Sequence, residues 1–292
     1  MQVGNKQISI AGNFVRIASL DGFEFVDDPK DFIGQIRKEV TKADIFTFTQ
    51  KLPETDPKYN YYMEWDNAAA LHITNYQDWW TKKLNQEARN KVRKAGKKGV
   101  DVKVVNFDDD LVRGITNIYN ESSIRRGKHF VHYGKSAEII KKEHETFLDR
   151  SCFLGAFYND ELIGFIKLVF DKDYARTMQI ISKIEHRDKA STNALIAKAV
   201  EVCVEKQIPY LVYGKFFYGK KGKDSLSEFK QSNGFKKVDI PRYYVPITLK
   251  GVIALKLGLH RSIQDILPEK MIEVLNDMRR KWYLKRVSRK GG

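Results

Sequence analysis

Residues 152–170 read CFLGAFYNDELIGFIKLVF, two apolar, aromatic-rich runs separated by Asn159-Asp160. Asn and Asp tolerate the left-handed backbone that a two-residue turn requires, so the stretch predicts a hairpin of strands 152–158 and 161–170. A third strand, 177–184, leads into a helix that starts near Ser191-Thr192-Asn193. Leu195, Ala199 and Cys203 recur there every four residues beside Ile196 and Val200, which buries one broad face. Strand 208–213 follows, then a second helix over 225–235. Ser225 and Glu228 have capping-box spacing, Asn233-Gly234 supplies the stop, and Phe235 folds back on the helix. A basic strand ends the series.

Working outward, the first hundred residues predict strands at 7–10, 14–19 and 23–26. A helix is expected at 29–41, with Pro29 in its first turn and Phe32, Ile36 and Val40 on one face. Strands at 45–49 and 61–65 flank a loop at 53–58, and 68–73 continues the second of them. A long helix over 76–98 carries Trp80, Leu84, Ala88 and Val92 every four residues, with cations around the rest, and Gly99 stops it. Strand 100–107 comes next, then a helix with Leu111, Ile115, Ile118 and Tyr119 inward, a loop at 122–135 and a helix over 136–150. Beyond Pro268, Met271, Leu275, Met278 and Trp282 share one side of a basic helix. Such a helix, with Trp282 and Tyr283, docks on the body or a second subunit, or lies on an anionic membrane.

At 292 residues the chain can bury a large core, as one big domain or two small ones. Hydrophobic content of 42% and aromatic content of 12% exclude a disordered protein. Cys152 and Cys203 both sit in apolar patterns and read as buried free thiols, which points to a reducing compartment. The first ten residues lack the apolar core of a signal peptide, and no run approaches the roughly 20 apolar residues of a membrane helix. The expectation is a cytoplasmic protein, with the inner membrane face open to it. The net charge of +15 calls for an anionic partner. The cations gather at Lys82–Lys98, at 215–223 and in the tail from Arg279 to Lys290.

The element order and the phrase FKQSNGFKKV, residues 229–238, resemble the second half of a GNAT-fold acyltransferase, in which a helix ending in Gly-Phe runs into a basic strand. With RNKVRKAGKKGVDVK, residues 89–103, the chain is more closely similar to the FemAB-like branch, which includes the aminoacyl transferases that build peptidoglycan cross-bridges. The resemblance covers about residues 60–248. It implies an α/β fold: a GNAT-like, mixed, mostly antiparallel central sheet flanked by helices. It also implies a reduced first unit (1–99) ending in the long basic helix, a complete second unit (100–250) and a basic helical tail (251–292). No Gly-, Ser- or Pro-rich linker separates the halves.

Acyl transfer to an amine requires that the donor's phosphates be held, the carbonyl's developing charge be stabilised, and the amine lose a proton. Acetyl-CoA enzymes of the superfamily hold pyrophosphate on a Gly-rich turn at a helix N-terminus. The corresponding positions are His186, Arg187, Lys189, Thr192 and Asn193, without any glycine and with Asp188 where it repels a phosphate. Where those enzymes often place a Tyr acid, four residues before the closing Gly, this chain has Lys230. The resemblance gives that lysine a part in holding phosphate or stabilising an oxyanion.

Lys215, Tyr218 and Lys220, with Lys221 and Lys223, lie beyond strand 208–213 among Gly214, Gly219 and Gly222. A basic, aromatic, glycine-spaced loop at the carboxyl end of a strand suits a nucleotide or sugar phosphate. The segment IRRGKHFVHYGK, residues 124–135, occupies the connection that shapes the acceptor pocket in GNAT enzymes. Arg125, Arg126 and Tyr133 are its candidate substrate contacts, and His129 or His132 its candidate base. Two histidines with no further His/Cys cluster do not make a metal site.

The expected function is N-acyl transfer, with acyl-CoA or aminoacyl-tRNA as donor co-substrate and no tightly bound cofactor. The acceptor is an amine on an anionic molecule such as a nucleotide sugar or cell-wall precursor. The other reading is a non-catalytic protein of the same fold that grips RNA or another polyanion.

Overall fold

The computed structural model describes residues 1–20, 24–40, 42–125, 127–218 and 224–261. The sequence readings at Phe23, Arg126, Lys220, Lys221, Lys223 and the tail helix beyond Pro268 lie outside these residues. The chain forms two compact units. The first holds Met1–Ala68 and the described parts of Lys215–Gly222 and Lys237–Leu267; the second holds Ala69–Gly214 and the described part of Lys223–Lys236. The boundary expected at residue 99 falls inside the second unit, because the basic helix there packs on that unit's long helix.

The elements of the first unit are β1 (Gln2–Val3), β2 (Lys6–Ala11), β3 (Ile17–Leu20), α1 (Pro29–Glu39), β4 (Ile45–Thr49) and the first part of β5 (Tyr62–His72). No strand forms at 24–26. Asp28 caps α1 with its carboxylate on the Lys30 and Asp31 N–H groups, ahead of Pro29 in the first turn. Phe32, Ile33 and Ile36 pack on Phe46, Phe48 and Tyr243 to make this unit's core.

The second unit continues β5 and then departs from the sequence reading. The long helix expected over 76–98 is broken. A short turn, α2 (Tyr76–Asp78), runs into a π-helical turn at Trp79–Lys83, and Leu84 is extended. Asn85 then caps α3 (Gln86–Lys97) through the Ala88 N–H. The wider turn advances the register, so Trp79 rather than Trp80 is buried, its Nε1 donating to the Asn233 carbonyl at 3.0 Å.

Next come β6 (Asp101–Val105), α4 (Asp109–Asn120), a small hairpin of β7 (Ile124–Arg125) and β8 (Lys128–His129), α5 (Ala137–His144), β9 (Ser151–Tyr158), β10 (Glu161–Phe170) and β11 (Tyr174–Ser182). They are followed by α6 (Ser191–Glu205), β12 (Tyr210–Val212) and α7 (Ser225–Ser232). The β9–β10 turn is the one predicted, with Asn159 and Asp160 both at positive φ, 49° and 62°. The strands run in the order β5-β12-β11-β10-β9-β6, antiparallel except for β11 with β12. Helices α4 and α6 pack on β10.

The last helix of this series is capped one residue earlier than its sequence suggests. Asp224, not Ser225, is the N-cap, in a reciprocal box with Ser227. Its C-terminus is as expected: Gly234 at φ 89°, with the Phe235 N–H reaching the Lys230 carbonyl. In the first unit, β13 (Lys236–Pro246) pairs antiparallel with β4, and α8 (Leu249–Lys256) follows.

Candidate active site

The parallel pair β11–β12 opens a cleft. The two strands are ladder partners only from Tyr174↔Tyr210 to Arg176↔Val212. Beyond that β11 runs on to Ser182, while the other strand ends and the chain turns at Gly214, φ 58°. Between them lies a cavity of about 610 Å³, lined on one side by Ile180 to Ile184 and on the other by Tyr213, Leu226 and Phe229. Lys91, Lys94, Arg187 and the first residues of α6 complete it.

The start of α6 is the unusual feature. Ala190 stands at its N-cap in the left-handed region, φ 55°, and no side chain caps the helix. For a residue with a Cβ this backbone costs about 1–2 kcal/mol. Ser191, Thr192 and Asn193 of this first turn line the cavity, where the positive end of the helix dipole favours an anion, although the Asn193 N–H is already bonded to the Ala190 carbonyl. Asp188 also lines the cavity, but Lys98 bonds it at 2.5 Å and holds its carboxyl below the usual range. The repulsion expected from Asp188 is thus offset by a cation from α3.

Of the residues the sequence proposed for the donor side, Arg187, Thr192 and Asn193 line this cavity. Thr192 shares a hydrogen bond with Ser182 at 2.9 Å, and Asn193 donates to Asn233 at 3.2 Å, tying α6 to the end of α7. His186 is directed elsewhere, toward Glu161 at 3.1 Å, and Lys189 lies over the Tyr158 ring.

Lys230 is fully buried, with Nζ 4.9 Å from the centre of the Tyr213 ring. Burial pulls its ammonium down to about 8. Its neighbour Phe229 is the partly exposed residue of the pair and lines the cleft.

On the acceptor side the structure gives the residues distinct positions. Arg125 lines the cavity, yet its guanidinium is engaged: Nη1 donates to the Ser182 carbonyl, Nη2 to the Ile118 carbonyl and Glu121, and it stacks on Phe130. His132 is half-buried against Tyr119, ring centres 4.6 Å apart. Its Nδ1 faces Lys135 Nζ at 3.1 Å and its Nε2 faces the Gln179 amide at 3.1 Å. Both neighbouring atoms are nitrogen donors and a neutral ring accepts at one nitrogen only, so with Nδ1 accepting from the ammonium the Gln179 amide must turn its oxygen to the Nε2 proton. Burial, with Lys135 beside it, lowers its pKa and keeps the ring neutral. His129 and Tyr133 are exposed. Lys215 and Tyr218 belong to the first unit, where Lys215 pairs with Asp66 at 2.8 Å.

Sequence reasoning missed Lys91 and Lys94 as cavity residues, having seen only a basic helix, and missed Tyr213 altogether. It also passed over Lys167, a buried lysine on β10 that donates to the His144 and Thr146 carbonyls. An apolar strand gives no sign that one lysine within it turns inward. Among the described residues no group of His, Cys, Asp or Glu is placed to hold a metal, and no helix is long and apolar enough to cross a membrane.

No protein-family profile matches the sequence, and no curated protein matches it. Solved structures do. FemX aligns at a TM-score of 0.61 and 11% identity over 86% of each chain. The C-terminal domain of a candidate lysylphosphatidylglycerol synthetase from Agrobacterium fabrum aligns at 0.55 and 15% identity, over 88% of this chain and 89% of that one. L-PGS from Bacillus licheniformis aligns at 0.54 and 12% identity, over 86% and 85%. The fold is that of the FemAB-like GNAT proteins. In this chain the cleft lies where two parallel strands part beside the N-terminus of a helix, and the helix that ends in Gly-Phe brings Phe229 to it.

Proposed function

We propose that this protein transfers an acyl or aminoacyl group from a phosphate-bearing donor to an amine of an anionic acceptor. The observation that carries the reading is the uncapped start of α6, with Ala190 in a strained conformation, opening on a cleft lined by Lys91, Lys94 and Arg187. Strain retained at a helix start that faces cations is what binding a donor's phosphate calls for. The edge of β11 on the β12 side, where pairing stops at Arg176 while β10 still pairs with the other edge, offers amide and carbonyl groups to an extended donor chain.

In this reading the acceptor nitrogen attacks the donor carbonyl carbon. The carbonyl oxygen takes up negative charge, and collapse expels the thiolate of CoA or the ribose oxygen of tRNA. The amine loses a proton and the leaving atom gains one. In this reading Tyr213, which lines the wall opposite β11, hydrogen-bonds the charged atom, and the Lys230 ammonium 4.9 Å from its ring centre favours negative charge there. His132, neutral near pH 7, is suited to a base, but Lys135 Nζ, already on both Glu143 oxygens, must first move off Nδ1. Aminoacyl-tRNA and acyl-CoA are both donors of this class. The name of one structural neighbour, a candidate lysylphosphatidylglycerol synthetase, supports an aminoacyl group and an anionic acceptor.

A thermal-shift titration with acetyl-CoA, CoA, and charged and uncharged tRNA at two salt concentrations tests this. Ligand that binds only the native state raises the midpoint. A rise with CoA compounds that survives salt makes it an acyl-CoA enzyme. A rise specific to charged tRNA makes it an aminoacyl transferase. Equal, salt-sensitive rises with both tRNAs and no turnover would sink the enzyme reading in favour of polyanion binding.

A further inference from the structure

Helix α8 is apolar on both sides. Gly251, Ala254 and Leu255 face the first unit, where Ala254 and Leu255 pack with Val15 and Ile45. Leu249, Val252, Ile253 and Leu257 face outward, at 84%, 36%, 58% and 67% exposure. Their spacing is i, i+3, i+4 and i+8, one continuous stripe on a helical surface. A helix that is apolar all round is normally buried, so the outer stripe calls for a covering.

The stripe cannot rotate inward. A Cβ at Gly251 would lie 1.9 Å from the Asp44 carbonyl oxygen, so the helix backbone rests directly on that strand entry. Thr248 caps the helix through the Gly251 N–H and donates to the Asp44 carboxylate. Phe14, 72% exposed, extends the patch: Lys250 donates to its carbonyl and sits over its ring at 4.8 Å.

Cations surround this apolar surface. Lys250 is held at it between Asp44 and Phe14, and Lys256 and Arg16 are exposed. The acids nearby are spent inward, Asp44 on the Arg16 N–H and Thr248, Glu64 on His260 and Arg261.

We infer that the outer face of α8, with Phe14, docks on an anionic lipid surface. Eight residues span about 12 Å, far too little to cross a bilayer and right for lying in its headgroup layer. Lys250 flanks the stripe, and Lys256, which lies on it one turn beyond Val252 and Ile253, reaches the lipid phosphates by extending along its stem while the apolar side chains enter the acyl boundary. The basic end of the chain's own tail is a poorer occupant, because residues 279–290 carry seven cations and no acid and would meet like charge. Residues 262–278, with four acids and one lysine, are the competing occupant, and a wild type held off vesicles by them would overturn the inference. A second copy of the face would likewise set Lys250 and Lys256 against cations.

Vesicle co-sedimentation of the full chain tests this. The probes are phosphatidylcholine vesicles with and without about one-third phosphatidylglycerol. The wild type should partition onto the anionic vesicles and at least about tenfold less onto the neutral ones. L249S/I253S should lose at least about tenfold in partition with an unchanged thermal midpoint, since both side chains are exposed, and K256Q should weaken the salt dependence. Failure of the wild type to partition, or equal partition onto both vesicles, overturns the inference. Wild-type binding by L249S/I253S would assign membrane contact to the tail instead. Self-association in light scattering that L249S/I253S abolishes, without vesicle binding, would make the face an interface between copies.

Discussion

Lys230 and Tyr213 meet inside the second unit, the ammonium 4.9 Å from the ring centre and the lysine wholly buried. Burying a lysine there costs folding free energy whether or not the chemistry uses it. Lys230→Met, which keeps the volume and removes the charge, should preserve folding and lower the transfer rate at least tenfold. An unchanged rate would remove Lys230 from the chemistry.

The same variant carries a pH signature. Burial holds Lys230 near 8 in the folded protein, against about 10.4 for an unfolded lysine. Below pH 8 both states are protonated and the burial penalty is present in full. Between pH 8 and 10 the unfolded chain binds more protons, so stability rises with pH. The advantage of Lys230→Met over wild type in chemical denaturation should therefore shrink by up to about 3 kcal/mol from pH 7 to pH 10. A constant gap would mean that Lys230 titrates normally.

Lys94 and Arg187 border the start of α6 from separate elements. If they hold donor phosphate, Lys94→Ala and Arg187→Ala should each raise the donor's apparent KM at least fivefold, about 1 kcal/mol of binding. The kcat and the thermal midpoint should change little. Steady-state kinetics with donor varied at saturating acceptor gives the answer, and a fall in kcat alone would contradict a phosphate role.

How far the sequence could be read follows from how local each feature is. The β9–β10 turn rests on Asn159 and Asp160 themselves, and the Gly234 stop on one glycine, so both were legible. The break at Leu84 was not. The period through Trp80, Leu84, Ala88 and Val92 fits a straight helix, and only the burial of Trp79 against Asn233 selects the π-helical turn. The cleft was legible as a helix start but not as a set of neighbours. Lys94 and Asp188 are far apart in the chain, and only the α3–α6 packing brings Lys98 to Asp188.

Ala190 offers a stability test that touches the same helix start. Its φ of 55° suits glycine, which pays no Cβ penalty there. Ala190→Gly should stabilise the protein by roughly 0.5–1 kcal/mol in denaturant titration, after the unfolded-state entropy of glycine is subtracted. A loss of stability would mean that the conformation is not strained in solution.

Arg125, expected from sequence to govern the acceptor, is placed as a brace. Its fork takes the Ile118 carbonyl at the end of α4, the Ser182 carbonyl at the end of β11, and Glu121 at 3.0 Å. Glu121 in turn accepts the Ile184 and Glu185 N–H groups, both at 2.8 Å. These bonds set the strand end that forms one wall of the cleft. Arg125→Ala should destabilise the protein by about 2–3 kcal/mol, because it strands two carbonyls and a half-buried carboxylate. Arg125→Lys should recover less than half of that, since an ammonium cannot reproduce the planar fork. Thermal denaturation separates the two roles: a variant of normal stability with a raised acceptor KM would return Arg125 to substrate binding, and the reverse pattern fixes it as the brace of the cleft wall.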